Sequence, residues 1–229
     1  LVITQEDINS RQDPASYNPV KAITLAFFGS TNYMAYMYTQ YKDNPSSYTT
    51  FGTFSANVPV GNYTIVAVAY AYNEGDNFAL TSLTNAGYSS ERPRETFCAT
   101  QEVTVTSSST LNLEVALNRI SSMLQIVSTD ERPAEAPKIR TTFSKGGKGF
   151  NPTTGLAKTD NGFAQTNSPS TGVGGNIAVS IFPFLYTDEE SMNITIEALD
   201  ANDNVLITKT INDVPFKRNR KTILSGAVY

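Results

Sequence analysis

A chain of 229 residues, 40% of them hydrophobic, is long enough for one large core or two small ones, and its net charge of −4 offers no basic field to gather nucleic acid or anionic lipid. It contains no histidine, no tryptophan and a single cysteine, Cys98. That composition excludes His-dependent triads, His-ligated metals, an intramolecular disulfide and multi-thiolate zinc sites. No catalytic residue, metal or cofactor is therefore assigned. The longest unbroken apolar run, "IVAVAYAY" at 65–72, is too short to span a bilayer, and "LVITQEDINS" lacks the basic and apolar regions of a signal peptide. Because the first residue is Leu, an upstream segment is expected to have been removed.

Strand candidates dominate the first half: "VKAITLAFFG" (20–29), "NYMAYMYTQY" (32–41), "FGTFSANVPV" (51–60), "NYTIVAVAYAY" (62–72), "ETFCATQEVTVT" (95–106) and "TLNLEVAL" (110–117). Between them lie "KDNPSS", "VGN", "NEGDN" and "TSSS", all turn chemistry. "IVAVAYAY" is apolar on both faces, as a central strand covered on each side would be. The one helix candidate, "LEVALNRISSMLQIV" (113–127), alternates with period two on either side of "NRISS", so two strands joined by a switch fit better. A domain boundary is drawn there, giving residues 1–117 and 118–229. The second half begins with "SSMLQIVS" (121–128) and is expected to continue through a long irregular loop, about 129–175. "NIAVSIFPFLY" (176–186), an alternating hairpin at 192–211 and "VPFKRNRKTILSGAVY" (214–229) close the chain. Short strands without intervening helices argue for an all-β protein of two sandwiches.

Several stretches invite a chemical reading and lose it on inspection. "DANDN" (200–204) starts like a calcium loop, but Val205 stands where the turn needs Gly and Ile211 where a bidentate Glu is required, so a hairpin turn is expected. "KGGKGF" (145–150) and "GVGGN" (172–176) match neither phosphate-binding fingerprint and read as loop. "FKRNRK" (216–221) is either a patch for acidic partners or a charged bend that protects an edge. Asp188, Glu189 and Glu190 are adjacent in sequence and so unsuited to flanking a glycosidic bond. Cys98 sits in an alternating segment and reads as a small core or interface residue. Tyr33, Tyr36, Tyr38 and Tyr41 could form a sugar-stacking surface, although sheet packing explains most of them.

Two "Val-Pro" corners and the switch between them carry a resemblance. "VPVGNYT" supplies Val58, Pro59, Gly61 and Tyr63, the joint supplies Leu117 and Arg119, and "VPFKRNRKT" supplies Val214, Pro215, Lys217, Arg218, Asn219 and Thr222. In this order, and from about Val20 onward, the chain resembles the Bacteroidales fimbrillin-like proteins, the FimA- and Mfa-type pilins with their anchor and tip relatives. The resemblance implies two transthyretin-like β-sandwich domains in tandem and a non-enzymatic fimbrial or accessory subunit involved in cell adhesion. It further implies export as a lipoprotein precursor to the cell surface, fimbrium or outer membrane. Membrane contact would run only through a lipid anchor absent from this chain. Partners would be other fimbrial subunits, engaged by donor-strand exchange after an Arg-specific protease removes an N-terminal strand, with a host protein or glycan as adhesion ligand.

Arg11, in the polar segment "INSRQDP", is the candidate cleavage position. Polymerising members usually carry a further C-terminal strand segment, so a chain ending at Tyr229 is expected to be an anchor, an accessory subunit or a fragment. A reading from a different class is a surface glycan-binding module using the tyrosines and the Gly/Asn-rich loop.

Overall fold

The computed structural model describes residues 1–7, 19–73, 75–90, 92–107, 110–169 and 177–229. The first half contains β1 (Val2–Asp7), β2 (Ala22–Gly29), β3 (Met34–Tyr41), β4 (Gly61–Tyr70), β5 (Phe78–Ser82), β6 (Asn85–Tyr88) and β7 (Thr96–Val105). A short β8 (Asn118–Arg119) leads to β9 (Met123–Ser128), β10 (Lys138–Phe143), β11 (Gly149–Phe150) and β12 (Phe163–Asn167). β13 (Ile177–Ile181), β14 (Glu189–Leu199), β15 (Val205–Lys217) and β16 (Arg220–Gly226) follow. Among the described residues the one helical turn is 3-10, Pro45–Ser47. The protein is all-β, as its composition and punctuation predict.

The strands form four sheets, ordered β3-β2-β4-β7-β8, β11-β6-β5, β1-β16-β9-β13 and β12-β10-β14-β15. The first two face each other across a core that includes Phe28, Val66, Val68, Tyr70, Leu80, Tyr88, Phe150 and Phe184. The other two enclose Leu124, Ile126, Ile139, Phe143, Ile181, Ile194, Phe216 and Leu224. A third cluster, Val20, Ile23, Ala69 and Phe97, lies on the outer face of the five-stranded sheet under Phe51, Phe54 and Leu117. β4 therefore has cover on both faces and ladders on both edges, which is why its apolar run shows no alternation.

Chain order and sheet membership part company in two places. β1 completes a sheet of the second half by pairing antiparallel with β16. β11 pairs with β6 of the first half, and Phe150, Ala157 and Phe184 join that half's core. Pairing of β16 with β9 is parallel, so their connection must be long, and residues 129–219 supply it.

Three expectations are corrected. The region 129–175 is not an irregular loop, because it holds β10, β11 and β12. In β10, "KIRTTF", buried Ile139, Thr141 and Phe143 alternate with partly exposed Lys138, Arg140 and Thr142; a threonine on the inner face weakens the apolar period. "KGGKGF" is likewise ordered, with Gly149 and Phe150 in a ladder and Phe150 fully buried. Residues 51–60 and 110–117 are not strands; their apolar side chains serve as cover for the outer sheet face instead.

Gly87 and Gly149 sit opposite each other in the β6–β11 ladder. A Cβ on Gly87 would lie 2.5 Å from the Gly149 Cα, so this close approach requires glycine. Gly87→Val should cost about 1–3 kcal/mol by overpacking, and at this size roughly 2–4 °C of Tm per kcal/mol, read by calorimetry. An unchanged Tm would mean that β11 does not join β6.

Candidate functional site

The N-terminal strand is held at the margin of the molecule. β1 pairs with β16 in an unbroken register from Val2↔Ser225 to Asp7↔Arg220 and forms the edge of its sheet. Leu1, Val2 and Ile3 are nonetheless 40%, 66% and 37% exposed, so the strand adds backbone hydrogen bonds and partly covered apolar side chains that lie outside the buried core cluster. Gln5 Nε2 donates to the Pro215 carbonyl at 3.0 Å, a side-chain tie from β1 to the corner before β16. Arg11, the candidate cleavage residue, lies outside the described residues, as does "GVGGN".

The two Val-Pro corners are built differently. In the first, Tyr63 Oη donates to the Pro59 carbonyl at 2.9 Å, closing the turn into β4, and the ring stands edge-on to Phe27. Gly61 lies beside that ring: a Cβ there would meet its atoms at 3.4 Å. In the second, Pro215 near the end of β15 accepts from Thr222 Oγ1 at 2.8 Å, so β15 and β16 stay locked where the chain changes sheets. Asn219 occupies the left-handed region at φ 61°, which Asn tolerates better than most residues, and its N–H donates to the Ser121 carbonyl at 3.3 Å.

Arg119 lies in the connector between the halves. Its guanidinium meets Glu95 at 2.8 Å with 1% and 7% side-chain exposure, and stacks 4.9 Å from the Phe97 ring centroid. Ser121 Oγ accepts from the Thr96 N–H at 3.2 Å, while Ser122 donates to Pro183 from both its backbone and its hydroxyl. The connector is thus hydrogen-bonded to both halves. Glu95 could not be found from spacing, since it lies far from Arg119 in sequence and in an ordinary strand flank.

The charged motifs neutralise one another. Lys217 pairs with Glu189, and Arg218 pairs with Asp188 at 2.8 Å while donating to the Thr154 carbonyl. The basic run and the acidic cluster are therefore two sides of one corner. Asp200 accepts from the Asn202 and Asn204 N–H groups at 2.8 and 2.9 Å, the hairpin turn expected of "DANDN". Cys98 is buried, and that burial pushes its thiol up to about 12, leaving it inert at neutral pH.

Asp130, unmarked by any motif, clamps the tail by accepting from the Val228 and Tyr229 N–H groups at 2.9 and 2.8 Å. Burial alone would raise its pKa, but those bonds and the Ser128 hydroxyl outweigh it and hold the carboxyl below its usual value. Its stabilising contribution is therefore present above the unfolded-chain pKa and is lost as pH falls through the lower folded value.

Residues 25–228 match a family of unknown function, DUF6562. The chain belongs to this family. No curated protein matches its sequence. Among solved structures, the DUF6562 chain is similar to a candidate adhesin from Bacteroides ovatus (TM-score 0.58, 12% identity, 92% of this chain and 83% of that one). A second candidate adhesin from Bacteroides ovatus gives a TM-score of 0.52 at 10% identity, over 84% and 70% of the two chains. Candidate polysaccharide-binding proteins from Bacteroides thetaiotaomicron give 0.52 at 9% identity, over 85% and 73%. At these identities the likeness is one of fold, and it agrees with the resemblance drawn from the Val-Pro motifs.

Removing one partner of a buried ion pair leaves the other charge stranded. Arg119→Met should therefore cost about 3–5 kcal/mol in urea unfolding, whereas Glu95→Leu combined with Arg119→Met should recover most of that loss. A single-variant cost below about 1 kcal/mol would contradict a dry Arg119–Glu95 pair.

Proposed function

We propose that this DUF6562 chain is a non-enzymatic subunit of an adhesive surface appendage of fimbrial type, exported as a lipoprotein precursor, that joins its neighbour by strand exchange. The observation that carries the reading is the seat of β1: a terminal edge strand with a full ladder to β16, whose apolar side chains are only partly covered and lie outside the buried core clusters. Such a strand can leave without opening a core. Its loss would uncover the outer edge of β16, whose other edge is already paired with β9. Unpaired backbone groups along that edge form a template for an added strand from another chain. Arg11, between β1 and β2, is the position proposed for the cut.

The neighbours described as candidate adhesins support the adhesive setting, and the neutralised corner at residues 188–189 and 217–218 supports a structural rather than an anion-binding role.

Limited trypsin digestion, N-terminal sequencing and gels of unboiled and boiled samples test the reading together. The expected result is a cut after Arg11, followed by SDS-resistant ladders that collapse on boiling. Excess synthetic peptide of residues 1–7 should suppress those ladders by reoccupying the edge of β16. A chain that is trimmed at Arg11 yet stays monomeric at every concentration would overturn strand exchange, and an uncut Arg11 would overturn the cleavage assignment.

A further inference from the structure

Tyr36 and Tyr38 are two residues apart on the edge strand β3, opposite Phe27 and Leu25 of β2, so both belong to the outer face of the five-stranded sheet. Beside them the chain from Ser47 to Ser55 turns back over the same face. Together they bound a cleft of about 520 Å3. Both walls are fixed by contacts already made. Buried Gln40 donates to the Thr53 carbonyl at 2.7 Å and accepts from the Gly52 N–H at 2.8 Å, tying the returning segment to β3. Tyr48 Oη donates to the Tyr41 carbonyl at 2.8 Å, and its ring leans on Phe51. Tyr36 stands edge-on to Phe27 at 5.9 Å, and Tyr38 edge-on to Phe54 at 6.4 Å.

We propose that this cleft binds a short stretch of neutral glycan. The inference deepens the adhesion reading by naming a ligand class, and it rests on that reading only for its biological setting. The chemistry of the lining selects the ligand. Three tyrosines and Phe54 supply aromatic surface, and Thr49, Thr50 and Ser55 supply exposed hydroxyls that bond to no other described residue. Among the described residues, no charged side chain lines the cleft. A pyranose offers the matching pair of surfaces, an apolar C–H face for an aromatic ring and a rim of hydroxyls for hydroxyl partners. An anionic ligand would find no counter-charge, and a purely apolar one would strand the hydroxyl rim. The cleft's size falls within the roughly 300–1,000 Å3 of small-ligand sites. Since neither wall need move, little ordering cost opposes binding.

The test uses the intact, untrimmed chain, so strand exchange does not enter it. Native affinity electrophoresis would be run in gels containing neutral xylan, mannan, β-glucan or starch, with an acidic polysaccharide alongside. Retardation by at least one neutral polysaccharide is expected. Tyr38→Ala should weaken it at least about tenfold, the scale of one lost aromatic contact with its hydrogen bonds. Ser55→Arg, at an exposed position where folding is not at risk, should weaken it comparably by filling the cleft. Tyr33→Ala, on a tyrosine outside the cleft, should leave it unchanged. No retardation in any neutral polysaccharide, retardation by the acidic one alone, or binding indifferent to both cleft variants would overturn the proposal. Laddering of the trimmed chain, read separately, decides strand exchange whichever way the glycan gels fall.

Discussion

A guanidinium and a carboxylate withdrawn almost completely from water hold the passage between the two halves of this molecule. Arg119 belongs to the two-residue β8 and faces Phe97 across the ladder, so ion pair, ring contact and backbone pairing converge on one place. Such a pair contributes less through the attraction it gains than through the penalty on every arrangement that separates its members. The chain leaves the first half at Arg119 and enters the second at Met123. Ile120, Ser121 and Ser122 in between are all buried, and the two serines bond to both sides. Any shift of the connector would strand a charge and several backbone groups at once. That constraint helps to hold the two halves of the chain together.

Two further contacts reinforce the joint from the far side. β11 reaches back to pair with β6, made possible by the facing glycines Gly87 and Gly149, and Phe150 and Phe184 fill a core otherwise built from the first half. The second half in turn takes its edge strand from the start of the chain. β1 and the connector therefore represent opposite extremes of attachment. One is fastened chiefly by its ladder, the other by charge, packing and buried hydrogen bonds. An element with a ladder and little apolar burial is the sort that opens locally while the remainder stays folded.

Much of this was legible in the residues, and the exceptions have physical causes. The apolar run of β4 announces a strand buried on both faces, and the alternation at 192–211 announces a hairpin whose turn is closed by Asp200. β10 and β12 were hidden because Thr141 and Gln165 occupy buried positions, interrupting the apolar period that a strand is recognised by. The alternating leucines at 110–117 mislead in the opposite sense, since the same pattern serves a segment that covers a sheet face without joining a ladder. The motif residues Pro59, Tyr63, Pro215 and Asn219 all lie at turns or sheet changes, where a fixed φ, a ring hydroxyl or a left-handed backbone is needed. Arg119 was marked by resemblance, but its partner Glu95 was not, because contact between neighbouring strands far apart in sequence leaves no trace in spacing. The tyrosine cleft was half visible: the rings stand close together in sequence, while of the hydroxyl wall Thr49 and Thr50 fall between the predicted elements and Ser55 in a stretch predicted as a strand.

Amide hydrogen exchange on the intact chain, resolved by segment, tests most directly the contrast between a tightly joined body and a loosely held first strand. Amides of β4, β7, β9 and β14 should share the slowest class, and those of β1 should exchange at least about a hundredfold faster through local opening. β1 amides as slow as those of β4 would contradict a separable first strand. Clearly different slow classes for the two halves would contradict a connector that makes them one unit.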